Sequence, residues 1–143
     1  DEDWNHCGRP SKVAIEKGCI MEPLFYGWMP SQCVFKELSD RFPVFEDRTW
    51  YTDPDLSIPI PPEELWRGEH DPIYTKRYHG EHCLFQWRKL QYAMHNRKEF
   101  IDNKTVSLHH SGHCADELST WFEGPNDANI VELGFYRCRK TIW

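Results

Sequence analysis

The sequence lacks any apolar run near the ~18 residues that a membrane-spanning helix needs, so no span is expected within its 143 residues. It also lacks a basic stripe. Seventeen Lys and Arg stand against 23 Asp and Glu, a net charge of −6. Nothing concentrates positive charge on one face, so nucleic acid is not an expected partner. The acidic balance by itself speaks only to solubility. There is no low-complexity segment and no linker, and no repeat of solenoid type. No signal peptide opens the chain, which begins DEDWNHC. The expectation is therefore the luminal or extracellular part of a longer precursor, with a leader or membrane anchor removed.

What is present is aromatic bulk and cysteine. Aromatic residues make up 15% of the chain, with seven Trp, enough to build a core at this length. A single domain over residues 1–143 is expected. The six cysteines are Cys7, Cys19, Cys33, Cys83, Cys114 and Cys138. An even count in a small domain fits three disulfides, for which 15 connectivities exist. Asn103-Lys104-Thr105 is an N-glycosylation sequon in an exposed-turn context. Together these features imply the secretory lumen or the extracellular space.

Local patterns predict helices over Ser11–Lys17 and Gln32–Phe42, each placed by a preceding proline and stopped by Gly18 or Pro43. Trp50-Tyr51-Thr52 reads as a short strand. Pro59, Pro61 and Pro62 exclude a central strand around them, and Pro62–Trp66 reads as one helical turn. The clearest helix is about 78–98, where Leu84, Trp87, Leu90, Gln91 and Met94 step at three and four. Phe85 lies alongside them, and Arg88, Lys89 and Arg97 are left to water. A second helix covers about 108–122, with His110, His113, Cys114, Leu118, Trp121 and Phe122 on one broad face. The tail from Asn129 reads as extended. The expected fold is mainly α with irregular loops and few short strands, a disulfide-stapled domain carrying two metal-binding helices.

The chemistry lies in a repeated pentapeptide. Residues 79–83 read HGEHC and residues 110–114 read HSGHC, each element recurring 31 positions later. On a helix, positions i and i+3 project from one face. His79 with His82, and His110 with His113, can each aim at one centre, and packing the two helices together would bring four imidazoles into one place. Imidazole is a common ligand for zinc, copper, iron and nickel, and a set without carboxylate favours copper or zinc over magnesium, calcium or manganese. Cys83 and Cys114, each at i+4 from its first histidine, could serve as thiolates in a closed zinc site. In disulfides, to each other or to other cysteines, they would leave nitrogen ligands only, which in an oxidising compartment points to copper ahead of zinc.

The remaining candidates receive plainer readings. His109 points about 100° away from His110 and is expected behind the ligands or at the surface. His95 is too far along the helix, and His6 and His70 fall in loops. Glu81 sits in the wrong order for a metallohydrolase HExxH, so hydrolytic zinc chemistry does not fit. Tyr78 and Tyr92 read as packing residues, and Asp53, Asp55 and Asp71 as turn formers.

At this point the chain resembles the fungal UstYa-like (DUF3328) family, whose signature is a pair of HxxHC motifs. HGEHC followed by LFQWRKLQ is similar to the family's first motif and helix, and HSGHC followed by ADEL to its second. Cys7-Gly8, Gly18-Cys19 and the WMPSQC of Trp28–Cys33 resemble the opening of one subgroup, and YRCRKTIW resembles the closing CRD…W. Gly80 and Glu81 replace an apolar-amide pair, Tyr136 stands where many members have His, and Lys140 replaces Asp. The resemblance implies a membrane-anchored precursor and oxidative tailoring in secondary metabolism: hydroxylation, halogenation, dehydrogenation or oxidative cyclisation of a C–H-bearing small molecule or peptide. It implies copper, one ion or two, held by His79, His82, His110 and His113, with Cys83 and Cys114 as the paired motif cysteines. Dioxygen is the implied co-substrate, joined by halide in some outcomes. The competing expectation is a non-enzymatic module stapled by zinc.

Overall fold

The structure is a computed structural model, and it describes residues 3–120 and 129–141. Trp121 and Phe122, assigned above to the second helix, lie outside the described residues. In chain order the elements are α1 (Ser11–Glu16), β1 (Ile20–Glu22), β2 (Gly27–Met29), α2 (Lys36–Ser39), β3 (Trp50–Tyr51), β4 (Pro59–Ile60) and α3 (Pro62–Trp66). They continue as β5 (Ile73–Thr75), α4 (His79–His95), β6 (Phe100–Asp102), α5 (Leu108–Thr120), β7 (Asn129–Val131), β8 (Gly134–Phe135) and β9 (Cys138–Lys140). The three-stranded sheet runs β1-β2-β8, the four-stranded sheet β4-β3-β5-β7, and β6 pairs with β9.

This corrects the expectation of a mainly α domain with few strands. The strands are two or three residues long, too short to display an alternating pattern. Most are defined by distant partners: β5 pairs with β7, and β2 with β8 in parallel. The segment expected as one helix over 32–42 breaks into a 3₁₀ turn at Ser31–Cys33 and the single turn of α2. Pro59 is accommodated because β4 is an edge strand.

The face of α4 is a second correction. Leu84, Trp87 and Met94 are exposed, whereas Lys89, assigned to water, is fully buried. The buried face is instead His82, Cys83, Phe85, Gln86, Lys89 and Ala93. Its polar members find partners inside, apart from Gln86 Oε1, which has none. Lys89 Nζ lies 2.6 Å from Asp102 Oδ1, with both side chains fully buried, and Gln86 Nε2 donates to Thr105 O and to Ser111 Oγ at 2.8 Å. Asp102 also accepts from the Thr105 N–H and hydroxyl, each at 2.8 Å, which shapes the turn leading into α5. The largest fully buried aromatic side chains of the core are Phe25, Tyr26, Phe45, Trp50 and Phe85. Burial of side chains this size contributes roughly 1.5–3 kcal/mol each.

Three disulfides close the frame: Cys7–Cys19, Cys33–Cys138 and Cys83–Cys114. They mark a secreted protein or one of an oxidising compartment. No helix among the described residues is long and apolar enough to cross a membrane.

Candidate metal centre

The two pentapeptides open two helices, and Cys83–Cys114 locks the helices together with 5.2 Å between Cα atoms. Each start is fixed locally. In α5, Ser107 is the N-cap, its Oγ accepting the His110 N–H at 3.1 Å. In α4 the cap comes from elsewhere, with Asn129 Oδ1 accepting the His79 N–H at 3.2 Å. Asn129 also donates to Thr75 O and Lys76 O, so β7 clamps the strand before α4 and the helix start together. Glu81, inside the first motif, is held by Arg48 through both carboxylate oxygens at 2.6 and 2.8 Å. It anchors the first turn of α4, in keeping with its poor fit to a catalytic base.

This framing brings His82 and His110 into contact. Their Nε2 atoms are 2.9 Å apart. His82 Nδ1–H donates to the Leu24 carbonyl at 2.7 Å. A carbonyl only accepts, so Nδ1 carries the proton of the neutral ring and Nε2 presents a lone pair. The same carbonyl accepts the Tyr78 hydroxyl at 2.6 Å, and Tyr78 stacks on His82 with centroids 5.2 Å apart. Phe25 meets both imidazoles edge-on at 5.2 and 6.3 Å. Burial, with some repulsion from Lys104, pushes His82 down to about 3 and His110 down to about 4. Both rings are therefore neutral near pH 7, the form that binds metal. His110 Nδ1 is buried without a hydrogen-bond partner.

His79 and His113 line the same cleft, of about 260 Å³, with His82, His110, Phe25 and Tyr78. His79 is half-buried, as is His110, and His113 is exposed. Glu117 Oε1 lies 3.9 Å from His113 Nε2, and burial lowers the His79 pKa. Beyond the inner pair, the Cys114 sulfur is the further candidate donor nearby, 3.7 Å from His110 Nε2. It belongs to the disulfide and is no thiolate. A closed Cys/His zinc site is thereby stripped of both its sulfur ligands, and the donors are imidazoles.

The donor set fits a metal that accepts imidazole. Two nitrogens bound at about 2.0–2.1 Å to one ion lie roughly 2.8–3.4 Å apart for angles between square and tetrahedral, and the inner pair stands at 2.9 Å. The fixed His82 tautomer, with Nδ1–H on the Leu24 carbonyl, suits coordination through Nε2.

The other sequence candidates lie apart from the cleft. His109 and His95 are exposed, and His70 pairs with Glu64 at 2.7 Å. Tyr92 donates to Glu37 and packs on Phe35, while Asp53 accepts from the Ser57 and Ile58 N–H groups as a turn former. Asn103 is exposed, as its sequon context suggested. Sequence reasoning missed the cleft residues Phe25, Lys104, Ile130, Val131 and Glu132. None lies at a helical interval from a motif histidine that would reveal it. A separate apolar cleft of about 310 Å³ beside α2, lined by Ile20, Phe42, Pro43 and Trp66, carries none of the histidines.

Against known proteins, no family model and no solved structure matches the chain. It is similar to phomopsin biosynthesis cluster proteins B and B′ of the fungus Diaporthe leptostromiformis. With each it is 29% identical over 119 residues, covering 76% of this chain and 35% of the relative. The chain thus spans about a third of the length of the curated relatives it matches. The similarity relates it to proteins of a fungal biosynthesis cluster.

Proposed function

We propose that this chain is a copper-dependent oxidative tailoring enzyme of fungal secondary metabolism, of the UstYa-like kind, acting on a C–H bond of a small molecule or peptide. The observation that carries the reading is the inner histidine pair: a buried and a half-buried imidazole, both neutral, with facing Nε2 atoms, beside a disulfide that removes sulfur from the donor set. Relatives that belong to a biosynthesis cluster support the metabolic part.

In this reading His82 and His110 hold the ion, and His79 and His113 complete or share its coordination from the outer part of the cleft. Bound copper supplies one-electron chemistry with dioxygen, the capability that C–H functionalisation needs. The Leu24 carbonyl keeps the proton on His82 Nδ1. The Tyr78 and Phe25 rings exclude water from the inner side of the pair and fix the ring planes. The half-open outer cleft admits substrate.

The test is elemental analysis and EPR of protein purified from an oxidising host. Stoichiometric copper with nitrogen hyperfine structure, and loss of both in His82→Ala and His110→Ala, is the expected result. Deleting the gene in its host should remove an oxidised metabolite that the wild-type gene restores and the His110→Ala gene does not. Protein that takes up no copper, or a fully active His110→Ala, overturns the reading.

A further inference from the structure

Two lysines sit beside Phe25, and they are provided for very differently. Lys89 Nζ, 5.6 Å from the ring centroid, is fully buried with Asp102 at 2.6 Å. Lys104 Nζ, 5.8 Å from the same centroid, is half-buried and donates one hydrogen bond, to Tyr136 Oη at 3.3 Å. Among the described residues no carboxylate pairs with it, and Asp102 and Glu132 act on it only at a distance. An ammonium has three donors and no acceptor. Withdrawn from water with a neutral phenol as its partner, it is under-compensated.

Lys104 lines the histidine cleft, as do the apolar side chains of Phe25, Ile130 and Val131. The imidazoles beside it are neutral, and Glu132, which also lines the cleft, acts on the ammonium only from a distance, so Lys104 lacks a paired anion. The position is also well built. Thr105, its neighbour, is tied to Asp102 by two hydrogen bonds. Tyr136 is seated against Gly27 and Gly134, where an added Cβ would lie 2.2 and 2.1 Å from its ring and hydroxyl.

We infer that the cleft recognises its substrate through a carboxylate held by Lys104, with an apolar body lying along Phe25, Ile130 and Val131. This names the substrate class of the site proposed above and rests on that reading. Its test, however, reads ligand binding rather than turnover.

The probes are N-acetylphenylalanine and its carboxamide, titrated calorimetrically into the purified protein before and after chelator treatment. A charge-assisted hydrogen bond to a half-buried cation predicts that the acid binds about tenfold or more tightly than the amide. Lys104→Met should abolish that preference and Lys104→Arg should keep part of it, with thermal midpoints checked to show that both variants fold. Equal affinity for acid and amide, no saturable binding of the acid, or a preference that survives Lys104→Met overturns the inference. So does displacement of the acid by an equal concentration of chloride, which would make the site one for inorganic anions. Copper titration is a separate arm. Its failure would sink the metal reading while leaving the acid preference to stand or fall by itself.

Discussion

His82 and His110 on one side, and His79 and His113 on the other, share residue type, helical spacing and motif register, yet the fold treats them as different objects. The inner pair is enclosed by Phe25 and Tyr78, neutral, and in contact through Nε2. The outer pair borders the same cleft, with His79 half-buried and His113 exposed beside an acidic neighbour at 3.9 Å. Spacing nominates ligands, but packing decides which are preorganised. On the copper reading proposed above, the inner rings would hold the ion and the outer ones would adjust as substrate enters.

Acid should break this comparison most sharply. In metal-free protein His82 and His110 titrate at about 3 and about 4, well below the ordinary 6.5. The unfolded chain takes up protons first. The inner pair's contribution is therefore complete above about pH 6.5 and is lost progressively as pH falls toward 4, by several kcal/mol. Chemical denaturation across that range should show the slope in wild type and a shallower one in His82→Gln. An equally steep slope in His82→Gln would mean that other groups carry the acid sensitivity.

Removing the crosslink comes next. Cys83→Ser with Cys114→Ser opens a link across a sequence separation of 31, and stability should fall by about 3–4 kcal/mol. Metal affinity should fall with it, because the disulfide keeps the two motif turns in register. A double variant that loses stability but keeps full affinity would show that Gln86 and the turn at Asp102 suffice to align the inner rings.

Substitution of single ligands separates the pairs directly. His82→Ala or His110→Ala should weaken copper binding by at least a hundredfold. His79→Ala or His113→Ala should weaken it about tenfold, the scale of an outer partner that orients more than it binds. Equal losses at all four positions would restore a symmetric four-imidazole centre.

How much of this was legible beforehand depended on what the sequence encodes locally. The helices carrying the motifs and the turn at Asp53 follow from spacing and side-chain chemistry within a few residues, whereas the pairing of Cys83 with Cys114 was one of several connectivities that spacing left open. The sheets do not, because β2–β8 and β5–β7 join segments far apart in the chain, through strands too short to alternate. The buried face of α4 was misread for a related reason. Lys89 and Gln86 count as polar by composition and become interior residues only because Asp102 and the Thr105 carbonyl meet them. The inequality of the histidines was hidden the same way. It depends on the Leu24 carbonyl, the Phe25 ring and the Tyr78 hydroxyl, and nothing in HGEHC or HSGHC specifies them.

The smallest effect probes how the two pairs are anchored. Ser107 caps α5 and receives the N–H of an inner ligand, His110. Asn129 caps α4 and receives that of an outer one, His79. Ser107→Ala should cost about 1 kcal/mol, the usual value of an N-cap. Loosening the turn that positions His110 Nε2 should also reduce copper affinity by a few-fold, and Ser107→Thr should recover both, since it keeps the accepting oxygen. Asn129→Ala removes three hydrogen bonds, those to His79, Thr75 and Lys76. It should therefore cost more stability than Ser107→Ala while changing copper affinity less. If the order of the two affinity losses is reversed, the outer histidine is the one that binding depends on, and the distinction between holding and adjusting ligands must be turned around.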